Sequence, residues 1–114
     1  MPPNIEPLIY RQEGEIAFIE INRPDMKNAL NLECWQLLDT YCDGLMDDHK
    51  IRAMVTTGHP EDIFSAGVDV NPADPFIAGM FEALQNGDRA KLVKGFADMQ
   101  VVVSKLARLP VPTV

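Results

Sequence analysis

Residues 63–70 read Ile63-Phe64-Ser65-Ala66-Gly67-Val68-Asp69-Val70 and form the most informative stretch of the chain. An apolar lead-in runs into a turn of three small residues, and an acid between two valines follows. Small residues let a polar group of another molecule approach the main chain closely. Such a turn can aim a backbone N–H at a ligand oxygen, which favours chemistry on a carbonyl group.

The segments around this turn alternate between strand and helix patterns, which favours an α/β fold. Glu13-Gly14-Glu15 is typical of a hairpin turn, because glycine accepts a positive φ. Asn31 and Asp88 are typical helix N-caps, and the apolar run Pro110–Val114 resembles the beginning of a strand. The pattern predicts strands over 8–13, 16–21 and 53–57, and helices over 32–46, 76–84 and from 89 to just before Pro110.

Hydrophobic spacing predicts which faces of these elements are buried. The strand over 16–21 begins with four apolar residues and is expected to be covered on both faces. The buried stripe of the first helix is predicted at Cys34, Leu37, Leu38, Tyr41 and Leu45, and that of the last helix at Leu92, Phe96, Met99, Val103 and Leu106.

The bulk composition predicts one domain over residues 1–114 and narrows the class of protein. Seventeen acidic and ten basic side chains give a net charge of −7, which argues against a general nucleic-acid binder. No apolar run reaches the ~18 residues of a membrane span, and Met1-Pro2-Pro3-Asn4 lacks the features of a secretory signal. Cys34 and Cys42 are too far apart on one helix for a disulfide, which indicates reduced thiols in a cytoplasmic protein.

Common catalytic and metal-binding sequence patterns are absent. His49 and His59 lie in polar segments and are interpreted as surface or turn residues. Ser65 has no base near it in the sequence, so we do not expect it to act as a nucleophile. Asp47-Asp48 is typical of a solvated loop, and no metal site is predicted.

Two segments, taken in order, resemble signatures of the enoyl-CoA hydratase/isomerase (crotonase) superfamily. The first signature is similar to Ile21-Asn22-Arg23-Pro24-Asp25-Met26-Lys27-Asn28-Ala29-Leu30, and the second to Phe64-Ser65-Ala66-Gly67-Val68-Asp69. The final Leu109-Pro110-Val111-Pro112-Thr113-Val114 is similar to the lead-in to a third. The resemblance spans residues 8–114 and implies the N-terminal part of an α/β, crotonase-like domain built from turns of ββα spiral.

The resemblance also implies a ligand and roles for particular residues. The ligand would be an acyl-CoA thioester, and two backbone N–H groups would hold its enolate-like oxyanion. The N–H of Val68 would be the first of these donors. The coenzyme A moiety would enter as part of the substrate, with no other cofactor. Its contacts would be Ala66, Gly67, Asp69 and Val70 along the chain, and Asp25, Lys27 and Ala29 at the adenine and phosphate end.

Several of these side chains have a second, purely structural interpretation. Arg23 and Lys27 are the cations placed to meet phosphates, but Arg23 is equally suited to a structural ion pair and Lys27 to a solvated loop. Asp69 would touch the ligand or fix its own turn through backbone hydrogen bonds. The apolar side chains of the next segment would line an acyl pocket or pack in the core; they are Phe76, Met80, Phe81 and Leu84.

The implied activity is hydration of a 2-enoyl-CoA or isomerisation of its double bond, in a homo-oligomer that is a trimer or hexamer in the superfamily. Thioester hydrolysis, decarboxylation and C–C cleavage remain open, as does a non-catalytic acyl-CoA-binding or interaction module. The second oxyanion donor and the acid and base side chains are expected after Val114. The 114-residue chain by itself is therefore expected to be inactive.

Overall fold

The computed structural model describes residues 6–59 and 62–114, and its helices and strands follow the predicted order. The bounds agree with the prediction to within a residue or two, and a short 3-10 turn at Pro24–Met26 is added. Pro60, whose ring is unfavourable within a strand and which follows the predicted third strand, lies outside the described residues. The elements are β1 Leu8–Glu13, β2 Ile16–Ile21, α1 Leu32–Met46, β3 Ala53–Gly58, α2 Pro75–Gln85 and α3 Arg89–Ala107.

The three strands form one sheet in the order β1-β2-β3. β1 and β2 are the predicted antiparallel hairpin, with Gly14 at a φ of +57°. β3 lies parallel to β2, and α1 makes the crossover between them. On the far edge of β3, the N–H of Met54 donates to the carbonyl of Pro112 at 3.0 Å. The N–H of Thr56 likewise donates to Val114 at 2.8 Å, so the final segment continues the sheet as predicted.

The sheet buries one face against the helices. Alternate side chains of β2, at Ala17, Ile19 and Ile21, are buried, whereas Ile16 on the other face is 40% exposed. The prediction that β2 is covered on both faces is therefore wrong. On its open face the Arg11 guanidinium lies 3.8 Å from the ring centre of Phe18 and shields it only in part. The buried core cluster consists of Leu8, Ala17, Ile19, Ile21, Cys42, Leu45, Ile51, Met54 and Leu109.

The predicted stripe of α1 is confirmed: its five residues are buried or packed against the core, and Cys42 joins them. The predicted stripe of α3 is wrong at Phe96 and Val103, which are 57% and 49% exposed, whereas Val102 is buried. α3 also approaches α2 closely at Gly95, where an added Cβ would lie 2.6 Å from the sulfur of Met80. Hydrophobic spacing does not mark this contact, because glycine has no side chain.

Asp74 joins the N-termini of two helices through one nearly buried carboxylate. Its Oδ1 accepts the N–H of Leu32, the first residue of α1, at 2.9 Å. Its Oδ2 accepts the N–H of Ile77 in the first turn of α2, at 3.3 Å. The segment that follows the small-residue turn is thereby attached to α1. No helix among the described residues is long and apolar enough to cross a membrane.

We expect Asp74→Ala to lower the free energy of unfolding by about 2 kcal/mol, because two helix-terminal N–H groups lose their acceptor. Asp88→Ala is the matched control, since the Asp88 side chain caps only α3, through the N–H of Lys91. The control should lose about 1 kcal/mol. Urea unfolding of both variants measures the two free-energy losses, and equal losses would contradict the conclusion that Asp74 caps two helices.

Candidate functional site

The first predicted segment folds as a tight loop that turns its own backbone inward. After the turn Pro24–Met26, Lys27 and Asn28 take left-handed conformations, with φ of +53° and +57°. The N–H of Asn28 returns to the carbonyl of Arg23 at 2.8 Å. Lys27 is left exposed at the tip, and Asn28 becomes fully buried.

The Asn28 side chain connects this loop to the second predicted segment. Its Oδ1 accepts the N–H of Arg23 at 2.8 Å, and its Nδ2 donates to the carbonyl of Ile63 at 2.8 Å. Gly58 makes room for this contact, because a Cβ there would lie 1.8 Å from the Ile63 oxygen. Sequence reasoning did not single out Asn28. The sequence signal that could have identified it is its residue type, because asparagine adopts the left-handed conformation more readily than most other non-glycine residues.

The small-residue turn pairs with the first loop as a short parallel bridge between Leu30 and Val68. The N–H of Leu30 donates to Gly67 at 2.8 Å, and the N–H of Asp69 donates to Leu30 at 2.9 Å. The N–H of Ala66 donates to Lys27 at 3.0 Å. Each backbone group of the bridge that faces the first loop is therefore hydrogen-bonded.

The N–H of Val68 points the other way. It shares one trans peptide with the carbonyl of Gly67, and the two groups of such a peptide point in opposite directions. Since that carbonyl is bonded to Leu30, the N–H is turned away from the first loop. It has no acceptor among the described residues. This geometry leaves Val68 able to donate to an external oxygen, and its role as an oxyanion donor stays a prediction.

Ser65 fixes the start of the same turn. Its hydroxyl donates to the carbonyl of Asn28 at 2.8 Å and accepts the N–H of Gly67 at 3.0 Å. Gly67 has a φ of +98°, a conformation that a residue with a side chain rarely adopts. The hydroxyl thus lies within the backbone network of the turn.

Arg23 and Asp69 have the structural roles that the sequence analysis left open. Their side chains form an ion pair at 2.9 Å and are 16% and 11% exposed. Asp69 also accepts the N–H of Asn71 at 2.9 Å. That backbone hydrogen bond, followed by the one from Arg23, lowers the pKa of the Asp69 carboxyl. Lys27 has no ion pair among residues 6–59 and 62–114, so it is the cation of the first loop that a phosphate could reach.

An apolar cavity of about 340 Å³ lies beside the turn. Phe64, Ser65 and Gly67 form part of its wall, and Cys34 and Val103 contribute from α1 and α3. Burial raises the pKa of the Cys34 thiol, which keeps the thiol neutral and unreactive. No acidic or basic side chain of the described residues lines this cavity.

The side chains predicted to line an acyl pocket do not line this cavity. Phe76 and Met80 face a second cavity, of about 500 Å³, among the three helices. Phe81 and Leu84 are 49% and 63% exposed and line neither cavity. Trp35 borders both cavities, and its indole N–H is buried without a partner in the described part of the chain.

The remaining predicted residues lie apart from the cavity. His49 is exposed, and His59 is 58% exposed with its Nδ1 3.3 Å from Glu20 Oε2, as expected for surface residues. Asp25 is exposed, and Ala29 is half-buried beside Lys27. Within residues 6–59 and 62–114, no group of three or more His, Cys, Asp or Glu side chains could hold a metal ion.

Known proteins resemble this chain over most of its length. A sequence model of the enoyl-CoA hydratase/isomerase family matches residues 11–104. A short-chain-enoyl-CoA hydratase of Clostridium acetobutylicum is 34% identical over 64 residues, which are 56% of this chain and 24% of that protein. The chain thus spans about a quarter of the length of that curated relative.

Solved structures show the same fold. An enoyl-CoA hydratase/carnithine racemase from Magnetospirillum magneticum superposes with a TM-score of 0.77 at 24% identity, over 96% of this chain and 38% of that one. An enoyl-CoA hydratase/isomerase from Mycobacterium paratuberculosis gives a TM-score of 0.66 at 29% identity, over 95% of this chain and 39% of that one. The α/β arrangement described above is therefore the crotonase fold over the part that this chain spans.

We expect Gly58→Ala to lower the free energy of unfolding by at least about 2 kcal/mol, because the added methyl group displaces the Ile63 carbonyl and breaks the Asn28 contact. Gly44→Ala on α1 is the control. A Cβ there meets nothing within 4 Å, and alanine favours the helix by up to about 1 kcal/mol. In thermal unfolding, the melting temperature of Gly44→Ala should be higher than that of the wild type, and that of Gly58→Ala should be much lower. A wild-type melting temperature for Gly58→Ala would contradict the close approach of Gly58 to the Ile63 carbonyl.

Proposed function

The chain belongs to the enoyl-CoA hydratase/isomerase family, and from that premise we propose that it binds an acyl-CoA thioester at the turn 65–70 for 2-enoyl-CoA hydration or isomerisation. The observation that carries this proposal is the N–H of Val68, which has no acceptor among residues 6–59 and 62–114 and lies next to a glycine that lines an apolar cavity. An N–H held by the backbone needs no reorganisation when charge develops on an oxygen in front of it.

In this proposal the thioester oxygen accepts the Val68 N–H, and the acyl group enters the 340 Å³ cavity. Removal of a proton from the carbon next to the carbonyl, or conjugate addition of water at the β-carbon, moves negative charge onto that oxygen, and Val68 is one donor of the oxyanion hole. Loss of one such donor typically lowers a rate by about 10²–10³-fold. The family signatures, the fold and the names of the relatives support the assignment.

The coenzyme A moiety would contact the two loops on their exposed side. Lys27 supplies a positive charge for its phosphates, with Asp25 and Ala29 beside it, and the backbone of residues 66–70 follows its chain. Arg23 is already bonded to Asp69 and does not take part. The proposal needs no cofactor other than the coenzyme A of the substrate.

Two further proposals follow from the family assignment. The first is self-association into a trimer or hexamer, which is supported by exposed apolar side chains on α3 such as Phe96 and Val103. The second is a cytoplasmic location, which is supported by two free, buried cysteines that suit a reducing compartment. Sedimentation analysis and cell fractionation, respectively, test them.

The proposed function predicts a specific pattern in an NMR titration of the full chain with crotonyl-CoA. The amide signals of Ala66, Gly67 and Val68 should shift, because the thioester carbonyl lies against them. Lys27→Ala should weaken binding by up to about fivefold, as expected for one exposed charge contact. Lys50→Ala, which removes an exposed lysine from another loop, should leave affinity unchanged. Shifts confined to residues outside the two loops would contradict the proposal.

We also expect the 114-residue chain to bind crotonyl-CoA without hydrating it. Hydration needs a base and an acid within hydrogen-bond reach of the reacting atoms, and no such side chain of the described residues lines the cavity. A spectrophotometric assay of the conjugated thioester would detect turnover. Measurable turnover by the pure chain would overturn this expectation.

A further inference from the structure

We propose that Ser65 is a positioning residue: its hydroxyl holds the turn in the one arrangement that leaves the Val68 N–H free for a ligand oxygen. The choice of a thioester as that ligand rests on the proposed function. The geometric part of the inference does not, because it concerns hydrogen bonds within the chain.

Gly67 is the flexible joint of the turn, and its conformation decides where the next N–H points. Glycine at a φ of +98° has other accessible conformations of similar energy, so something must hold it. The structure holds it from both sides. Ser65 Oγ accepts its N–H at 3.0 Å, and the N–H of Leu30 binds its carbonyl at 2.8 Å.

The second of these contacts sets the direction of the Val68 N–H, and the first prevents Gly67 from rotating about its φ. Without the hydroxyl, the N–H of Gly67 has no acceptor among the described residues and is exposed to water. The peptide before Gly67 can then turn, which weakens the bond to Leu30 and releases the Val68 N–H from its fixed direction.

The same hydroxyl connects the donor to the cation of the first loop. Ser65 Oγ donates to the carbonyl of Asn28 at 2.8 Å, and Asn28 directly follows Lys27. One side chain thereby holds the proposed oxyanion donor and the proposed phosphate contact in a fixed relation. Ser65 touches no reacting atom in this scheme and acts only through Val68.

Ser65→Ala tests the inference, with Ser65→Thr as the conservative variant that keeps the hydroxyl. Thr40→Ala is the matched control, because it removes a hydroxyl that binds the carbonyl of Gln36 on the exposed side of α1. NMR measures solvent exchange of individual amide hydrogens in the full chain without ligand. In the wild type, the amides of Ala66, Gly67 and Asp69 should exchange more slowly than that of Val68.

In Ser65→Ala, we expect exchange at Gly67 to become about tenfold faster, as for a lost hydrogen bond. Affinity for crotonyl-CoA should fall by about tenfold, whereas affinity for free coenzyme A, which touches the same loops but has no thioester carbonyl, should fall by a clearly smaller factor. Ser65→Thr should restore the wild-type exchange rate of Gly67 and the wild-type affinity for crotonyl-CoA, and Thr40→Ala should change neither. A general loss of structure would instead lower the affinities for crotonyl-CoA and for coenzyme A by the same factor.

Unchanged exchange at Gly67 in Ser65→Ala would overturn the inference, as would an equal loss of affinity for crotonyl-CoA and coenzyme A. If Ser65→Ala does not fold, the wild-type exchange pattern decides, and a Val68 amide as slow as its neighbours overturns the inference. Failure of the wild type to bind either ligand would contradict the proposed function. The exchange pattern would still decide whether Ser65 positions the turn.

Discussion

The buried amide of Asn28 is the interaction on which the site depends. It is fully enclosed, and it satisfies the N–H of Arg23 and the carbonyl of Ile63 at the same time. A buried amide without such partners would destabilise the fold, so the two loops must meet in this register or not pack at all. The Ser65 bond, the parallel bridge and the placement of Lys27 all follow from that fixed register.

The parallel bridge explains how a short contact between loops can expose a directional donor. A bridge of this kind engages the carbonyl before Val68 and the N–H after it, so the groups of Val68 itself face outward. No side chain is needed to present the N–H. This is why valine suits a position beside small residues: its side chain stays 40% exposed and does not enter the hydrogen-bonding pattern.

Much of the fold could be predicted because its signals are local. The turn glycine Gly14 and the N-cap residues Asn31 and Asp88 mark the ends of elements. The structure confirms Gly14 by its positive φ and the two caps by their side-chain hydrogen bonds. The errors arose where a long-range contact decides. Gly95 of α3 lies close to Met80 on another helix, and no periodicity in α3 alone contains that information.

In the candidate site, too, the local features could be predicted from the sequence and the long-range contacts could not. The resemblance identified the two loops, but the residues that join them act over long separations in sequence. Asn28 and Ile63 are 35 positions apart, and Asn28 and Ser65 are 37 apart. Asp74 has one local partner, Ile77, whereas its second partner, Leu32, lies on another helix. The free N–H of Val68 could be described only after the bridge was known.

The left-handed conformation of Lys27 has a consequence for evolution of this loop. A lysine at a φ of +53° destabilises the native state by about 1–2 kcal/mol relative to glycine. Selection for stability alone would therefore replace it with glycine, and would at the same time lose the exposed cation. Under the proposed function, stability and ligand binding therefore compete at this position, and a variant chosen here for heat resistance would lose affinity for the ligand.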